Sequence, residues 1–254
     1  AEYGIDPDAI VAGPARMPFD NAAADVLEEF KPPIVSFHFG LPSAALLKRV
    51  RSWGATILSS ATTLDEARYL TAHGVDAVIA QGSEAGGHRG NFLTNDLSSQ
   101  VGTLELVQQI ISAVDIPVIA AGGIASAKDV AAAMAVGAAA AQVGTAYLLC
   151  PEATTNPLHR AALKSDAAKT TAITNVFTGR PARGIVTRLM REIGPLNAAA
   201  PAFPLAATAI FTLRSKAEAK GVTDFTSMWA GEKAATCKEM PAPLLTRELA
   251  GSDQ

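Results

Sequence analysis

The feature that most constrains this chain is an alternation between short apolar runs rich in β-branched residues and amphipathic stretches. Residues 33–39 (PIVSFHF) read as a strand, and residues 43–53 as a helix stopped by Gly54. Residues 55–60 form the next strand, followed by a helix over 64–73 that Gly74 closes. A third strand spans 75–80 and runs into a glycine-rich loop, with a helix at 103–113 beyond it. Residues 117–121 and 139–143 are the fourth and fifth strands, separated by a helix over 127–135. These runs are apolar almost throughout. That is the pattern of parallel strands covered by helices on both faces. Strand–helix–strand repetition identifies βαβ units. An open doubly wound sheet and a closed (β/α)8 barrel both satisfy it, and spacing alone does not choose between them.

After Cys150 the pattern changes. Residues 151–254 contain helical stretches at 158–165, 203–220 and 228–233, punctuated by prolines 195, 201, 204, 241 and 243, and no clear apolar strand. The expectation is an α/β portion over 1–150 and a helical C-terminal region over 151–254 packing on it. The alanine-rich stretch 130–150 is interrupted by Gly137, Gln142, Gly144 and Thr145, so it reads as a helix, a turn and a buried strand instead of a membrane span.

Composition excludes several classes of function. Apolar residues make up 49% of the 254 and charged residues 18%, which describes a globular chain. The net charge is −3 and no Lys/Arg-rich run is present, so neither a nucleic acid nor an anionic membrane is an expected partner. Glu2, Asp6 and Asp8 stand where a signal peptide would be basic. The two cysteines, Cys150 and Cys237, are too few for a disulfide scaffold. The expected location is the cytoplasm.

The chemistry concentrates at strand ends, where parallel α/β folds bind ligands. Residues 81–90 (QGSEAGGHRG) follow the third strand directly. Their four glycines allow tight turning and close approach to a ligand, and His88 can exchange protons near neutral pH. Gly122 and Gly123 follow the fourth strand, and Gln142, Val143, Gly144 and Thr145 follow the fifth. Backbone N–H groups exposed at two successive strand ends suit a phosphate monoester. His38 sits at the end of the first strand, where it can point into a ligand site or be a satisfied core residue. His73 and His159 read as surface or capping residues. No P-loop, no G-x-G-x-x-G, no G-x-S-x-G and no H-E-x-x-H occurs. Gly86 and Gly87 disfavour the helix that would align Glu84 and His88 as metal ligands, so no metal is expected.

Together these residues resemble the nitronate monooxygenase family. The resemblance runs from PPIVSFHFGLP through AQGSEAGGHRG, PVIAAGGI and QVGTAYL to FTGRPARGI and MWAG. It implies an FMN-dependent (β/α)8 TIM barrel, of which only the last five βα units are apparent, so that three units of roughly 90 residues would precede this chain. It implies oxidation of alkyl nitronates or nitroalkanes by O2 to a carbonyl compound and nitrite. It implies that Gln81, Gly86, Gly122, Gly123, Gln142, Val143, Gly144 and Thr145 contact the flavin and its phosphate. His88 corresponds to the family's catalytic histidine and His38 to a second active-site histidine. Two positions depart from the family pattern: Phe203 stands where a tyrosine is common, and Glu232 where a glutamine is.

The alternatives are a flavin-dependent enoyl-acyl-carrier-protein reductase or an NAD(P)H:quinone reductase on the same barrel, and a non-catalytic barrel fragment without flavin. A homodimer is a further expectation.

Overall fold

The computed structural model describes residues 2–6 and 17–251; Asp8 and the rest of 7–16 lie outside the described residues. In chain order the elements are α1 (Asn21–Phe30), β1 (Ile34–Phe37), α2 (Ala44–Ser52), β2 (Thr56–Ala61), α3 (Leu64–Ala72), β3 (Ala77–Gln81), β4 (Gly87–His88), α4 (Thr103–Ile111), β5 (Val118–Ala121), α5 (Ala127–Ala135), β6 (Ala140–Gln142), α6 (Pro157–Leu163), β7 (Thr171–Thr174), β8 (Ala182–Ile185), α7 (Arg188–Ile193), α8 (Leu205–Glu218) and α9 (Ala242–Leu249). The chain divides into two compact units. One comprises residues 17–83 and 90–142, the other residues 1–16, 84–89 and 143–254.

The first unit is built on a five-stranded sheet in the order β1-β2-β3-β5-β6, with every neighbouring pair parallel. These are the five strands expected from the apolar runs. Local chemistry starts the helices: Asp20, Ser43, Thr63 and Ser126 each accept a backbone N–H from the first turn of α1, α2, α3 and α5. Gly54 and Gly74 sit at φ +86° and +81° just past α2 and α3, in the left-handed region that ends a helix. The core lies around the central strand. Every residue of β3 is buried, with Ile57 of β2, Leu70 of α3 and Leu106, Val107 and Ile110 of α4 packed out of solvent. Each such aliphatic side chain stabilises the fold by about 1.5–3 kcal/mol.

One expectation for this sheet fails. The fifth strand was expected to be buried, but β6 exposes Ala140 and Gln142. Among the described residues it pairs with β5 alone, so only one of its edges is covered. The same holds for β1, where Ile34 and Ser36 are exposed. A strand's own residues do not reveal how many neighbours it has.

Glu66 of α3 is fully buried. Its Oε2 accepts from the Thr62 N–H at 2.7 Å and the Thr62 hydroxyl at 2.8 Å. Its Oε1 accepts from the N–H groups of Phe92 (2.6 Å) and Leu93 (3.3 Å). One carboxylate therefore ties the end of β2 to the segment that leaves the glycine loop.

The second unit corrects the expectation of a wholly helical C-terminal region. β7 and β8 pair antiparallel, and β8 also pairs with β4, giving the order β4-β8-β7. The helix expected over 228–233 is absent. Trp229 instead forms a single bridge to Gly184, and only a 3-10 turn follows at Ala234–Thr236. β7 (TAIT) and β8 (ARGI) are four residues long and carry polar, charged or glycine positions, so neither stands out as an apolar run. Helices α7 and α9 are additional to those expected. Two apolar clusters hold this unit, one around Leu149, Leu163, Ile185 and Met228, the other around Phe177, Met190, Ile210 and Phe225. Residues 2–4 are pinned to it: Glu2 pairs with Arg188 at 2.9 Å, the Lys216 ammonium donates to the carbonyls of Tyr3 and Gly4, and Tyr3 meets Phe225 edge-on. Among the described residues, no helix is long and apolar enough to cross a membrane.

Two stability predictions follow from the buried ionisable groups. Glu66→Ala leaves four donors without an acceptor, and urea unfolding should show a loss of about 2–4 kcal/mol. His159 on α6 is half-buried, with Nε2 out of solvent and no hydrogen-bond partner, contrary to the expected surface position. Burial lowers its pKa below the ordinary 6.5. The unfolded chain then binds a proton the fold resists, so this contribution is complete above about pH 6.5 and is lost as pH falls through and below that value. A His159→Leu variant should lose less stability between pH 7.5 and pH 5 than the parent in urea titrations.

Candidate active site

In the first unit the candidate residues gather at the carboxyl ends of the strands. Gln81 ends β3, and its side-chain Oε1 accepts the Gly90 N–H at 2.7 Å. His38 follows β1 directly, with its ring packed over Gly90: a Cβ on that glycine would stand 2.8 Å from His38 Cε1. The structure thus brings His38, Gln81 and Gly90 together, and only glycine fits the third position. His38 is exposed, so it is not a core histidine. Gly82 donates to the Ala121 carbonyl at 2.9 Å, binding the ends of β3 and β5. A Cβ there would lie 2.1 Å from Thr103 Oγ1.

Gly122 and Gly123 follow β5 at φ +122° and +63°. Outside the β5–β6 ladder, these N–H groups meet no backbone acceptor among the described residues. The first turn of α5 beside them is differently placed. Asp129 Oδ2 accepts from the Ala125 N–H (3.0 Å) and the Ser126 hydroxyl (2.8 Å), so a carboxylate already occupies the positive end of that helix. An anion at this strand end would be held by Gly122 and Gly123, not by α5. Gln142 ends β6 and is exposed.

In the second unit, His88 lies on β4, paired opposite Ala182 of β8. Its Nε2 is 2.9 Å from the Thr178 hydroxyl. The ring meets Trp229 at 5.4 Å and Phe203 edge-on at 5.8 Å between centroids. The loop before it is held tightly. A Cβ on Gly86 would stand 2.4 Å from the Gly231 nitrogen, and the Glu232 N–H donates to the Glu84 carbonyl at 3.0 Å. Arg183, opposite Gly87, is buried and pairs with Glu232 at 2.9 Å. Burial pulls its pKa down, and Glu232 and Glu84 oppose that shift. Thr145 Oγ1 accepts the Gly231 N–H at 2.9 Å, while the space over Gly144 is open and its N–H meets no backbone acceptor among the described residues.

Other groups are set aside by their surroundings. His73 caps α3, stacked on Tyr69 at 3.9 Å with Nδ1 on the Tyr69 carbonyl at 2.7 Å. Cys150 is buried and burial raises its pKa. Burial pushes Cys237 up to about 11, and its thiol donates to the Thr145 carbonyl. Both are free thiols, and burial favours the protonated form of each. A cavity of about 370 Å³ lies among Val176, Leu189, Pro201, Ile210 and Leu213, with no ionisable lining group. Thr178, Trp229 and Phe203 surround His88 and were not singled out as its partners. Thr178 and Trp229 belong to the quoted motifs FTGRPARGI and MWAG, which was the available signal.

Parallel βαβ units with glycine loops at the strand ends place the chain among the α/β enzymes of the (β/α)8-barrel class. The nitronate monooxygenase family model matches residues 7–250, and the chain belongs to that family. Nitronate monooxygenase of Pseudomonas aeruginosa is 40% identical over 252 residues, covering 98% of this chain and 72% of that protein. Nitronate monooxygenase of Paraburkholderia phytofirmans is 42% identical over 231 residues, covering 91% and 63%. The solved structure of nitroalkane oxidase from Streptomyces ansochromogenes matches with a TM-score of 0.84 at 42% identity, covering 91% of this chain and 67% of that one. The chain thus spans about two thirds of the length of these relatives.

The packing around Gly86 predicts that Gly86→Ala forces the 84–89 loop off the 230–231 backbone. Thermal unfolding should show a loss of about 1–3 kcal/mol.

Proposed function

We propose that the chain carries out flavin-dependent oxidation of alkyl nitronates and nitroalkanes with O2, giving a carbonyl compound and nitrite, with FMN as the flavin. The observation that carries this reading is His88, held on β4 with Nε2 on Thr178 and its ring against Trp229 and Phe203, in a member of this family. The residues fit FMN in the features a phosphate needs. In the first unit the Gly123 N–H stands outside the ladder at a strand end; in the second, separately, the space over Gly144 is open and its N–H meets no backbone acceptor among the described residues. Gln81, Gly86, Gly122, Gly123, Gln142, Val143, Gly144 and Thr145 would hold it. When bound, the flavin would supply the redox chemistry that links substrate to O2.

The chain's own residues supply the rest. A nitroalkane is neutral and must lose its α-proton, which the His88 imidazole takes as general base. A nitronate is already an anion, which the same ring binds when protonated. Trp229 and Phe203 present apolar surface to an alkyl group and keep water from the ring. Phe203 offers no hydroxyl, so no polar contact comes from that position. His38, packed on Gly90, would be the second histidine. The two free thiols suit a reducing cytoplasm, where we place the protein.

The test is spectroscopic. The protein supplied with FMN should absorb near 450 nm and bleach anaerobically with a nitronate and no NADH. A colourless protein would sink the reading, and bleaching only by NADH would favour the reductases. His88→Asn should lower nitroalkane turnover by about 100-fold or more. Gly144→Ala should change stability by less than about 0.5 kcal/mol yet weaken flavin binding, because its Cβ meets no protein atom.

A further inference from the structure

We infer that Arg160 is a positioning residue for the flavin phosphate: it locks the turn that begins beside Gly144 at Thr145, and so sets a preference for FMN over a flavin without a phosphate. This role rests on the reading that Gly144 and Thr145 hold the phosphate. Residues Thr145–Leu149 form a single 3-10 turn that follows Gly144 directly. The carbonyls at its far end converge on one guanidinium. Arg160 Nη1 donates to the oxygens of Leu148 and Cys150, both at 3.1 Å, and Nη2 donates to that of Leu149 at 2.6 Å. Leu149 and Cys150 are buried, and carbonyls at a helix end withdrawn from water need donors. A guanidinium carries its N–H groups in a rigid planar fork, which lets one side chain serve all three oxygens.

The arginine is itself fixed. It stands on α6, which begins at Pro157 with Asn156 Oδ1 accepting the Leu158 N–H at 2.8 Å. Ala162 and Leu163 of α6 pack with Leu149 in one apolar cluster. Glu239 pairs with the guanidinium at 3.3 Å and with Lys164 at 3.2 Å. At the other end of the turn, Thr145 Oγ1 accepts the Gly231 N–H at 2.9 Å, and the Thr145 carbonyl accepts the Cys237 thiol at 3.1 Å. The turn is thus bonded at both ends while the space over Gly144 stays open. Five residues in a 3-10 turn have too few internal hydrogen bonds to keep their shape alone. Releasing the three carbonyls frees the far end to unwind, and the positions of Thr145 and Gly144 are then held from one side only. A preordered turn binds a phosphate without first being ordered, and a loosened one loses affinity to that ordering. Arg160 acts here through the turn and touches no ligand.

Titrations with FMN and with riboflavin, which lacks only the phosphate, test this by quenching of flavin fluorescence. The parent should bind FMN more tightly than riboflavin by about tenfold or more. Arg160→Met keeps an unbranched apolar stem and removes the donors; it should weaken FMN about tenfold and riboflavin by less than about twofold. Arg160→Lys keeps the charge without the fork and should bind FMN about threefold more weakly than the parent, a partial rescue. A merely structural role would weaken both flavins alike, so equal losses overturn the inference, as does unchanged FMN affinity in Arg160→Met. If the methionine variant does not fold, the lysine variant decides: FMN weakened with riboflavin unchanged supports the role, and unchanged FMN affinity overturns it. A parent that binds both flavins equally refutes the phosphate site itself, and one that binds neither refutes the flavin reading. The role of Arg160 falls with either, and the parent's titration alone tells those failures from its own.

Discussion

The segment that leaves the glycine loop is held by two buried acceptors, and the placement of the strand-end residues follows from them. Gln81 Oε1 takes the Gly90 N–H, and the Glu66 carboxylate takes those of Phe92 and Leu93. Peptide N–H groups withdrawn from water need acceptors, and each unmet one costs about 1–3 kcal/mol. Once these bonds form, Gly90 has one place to be, directly under the His38 ring. A polar clamp inside an apolar sheet unit therefore holds the candidate residues His38, Gln81 and Gly90 together.

The second unit reaches the same end by different means. His88 is presented by a two-residue strand, too short to be stable by itself and dependent on β8 for its pairing. Gly86 lets that loop lie flat on the 230–231 backbone, and beside it the buried Arg183 pairs with the exposed Glu232. Glu232, the position that departs from the family's common glutamine, is exposed and sits against the loop through its ion pair with the buried Arg183 and its N–H on the Glu84 carbonyl.

The five parallel strands and their helices were legible because their signals are local. Buried strands need unbroken apolar runs, Asp20, Ser43, Thr63 and Ser126 cap helices from within a few residues, and Gly54 and Gly74 end them. The glycine loop and its histidine were legible for a similar reason, since ligand loops follow strand ends. β7 and β8 were not, because strands of four mixed residues are specified by their partners. The segment at Met228 has helical spacing, but its Trp229 bridges to Gly184.

What the sequence by itself determined is the repeating α/β pattern, the family, and the identities of the loop residues, all carried by short-range spacing and composition. Only the tertiary structure decided that β6 exposes Ala140 and Gln142, that His159 has a buried nitrogen with no hydrogen-bond partner, and that His88 meets a threonine 90 positions away. The physical reason is the same in each case. Exposure and hydrogen-bond partnership are properties of pairs of distant groups, and no window of sequence contains both members.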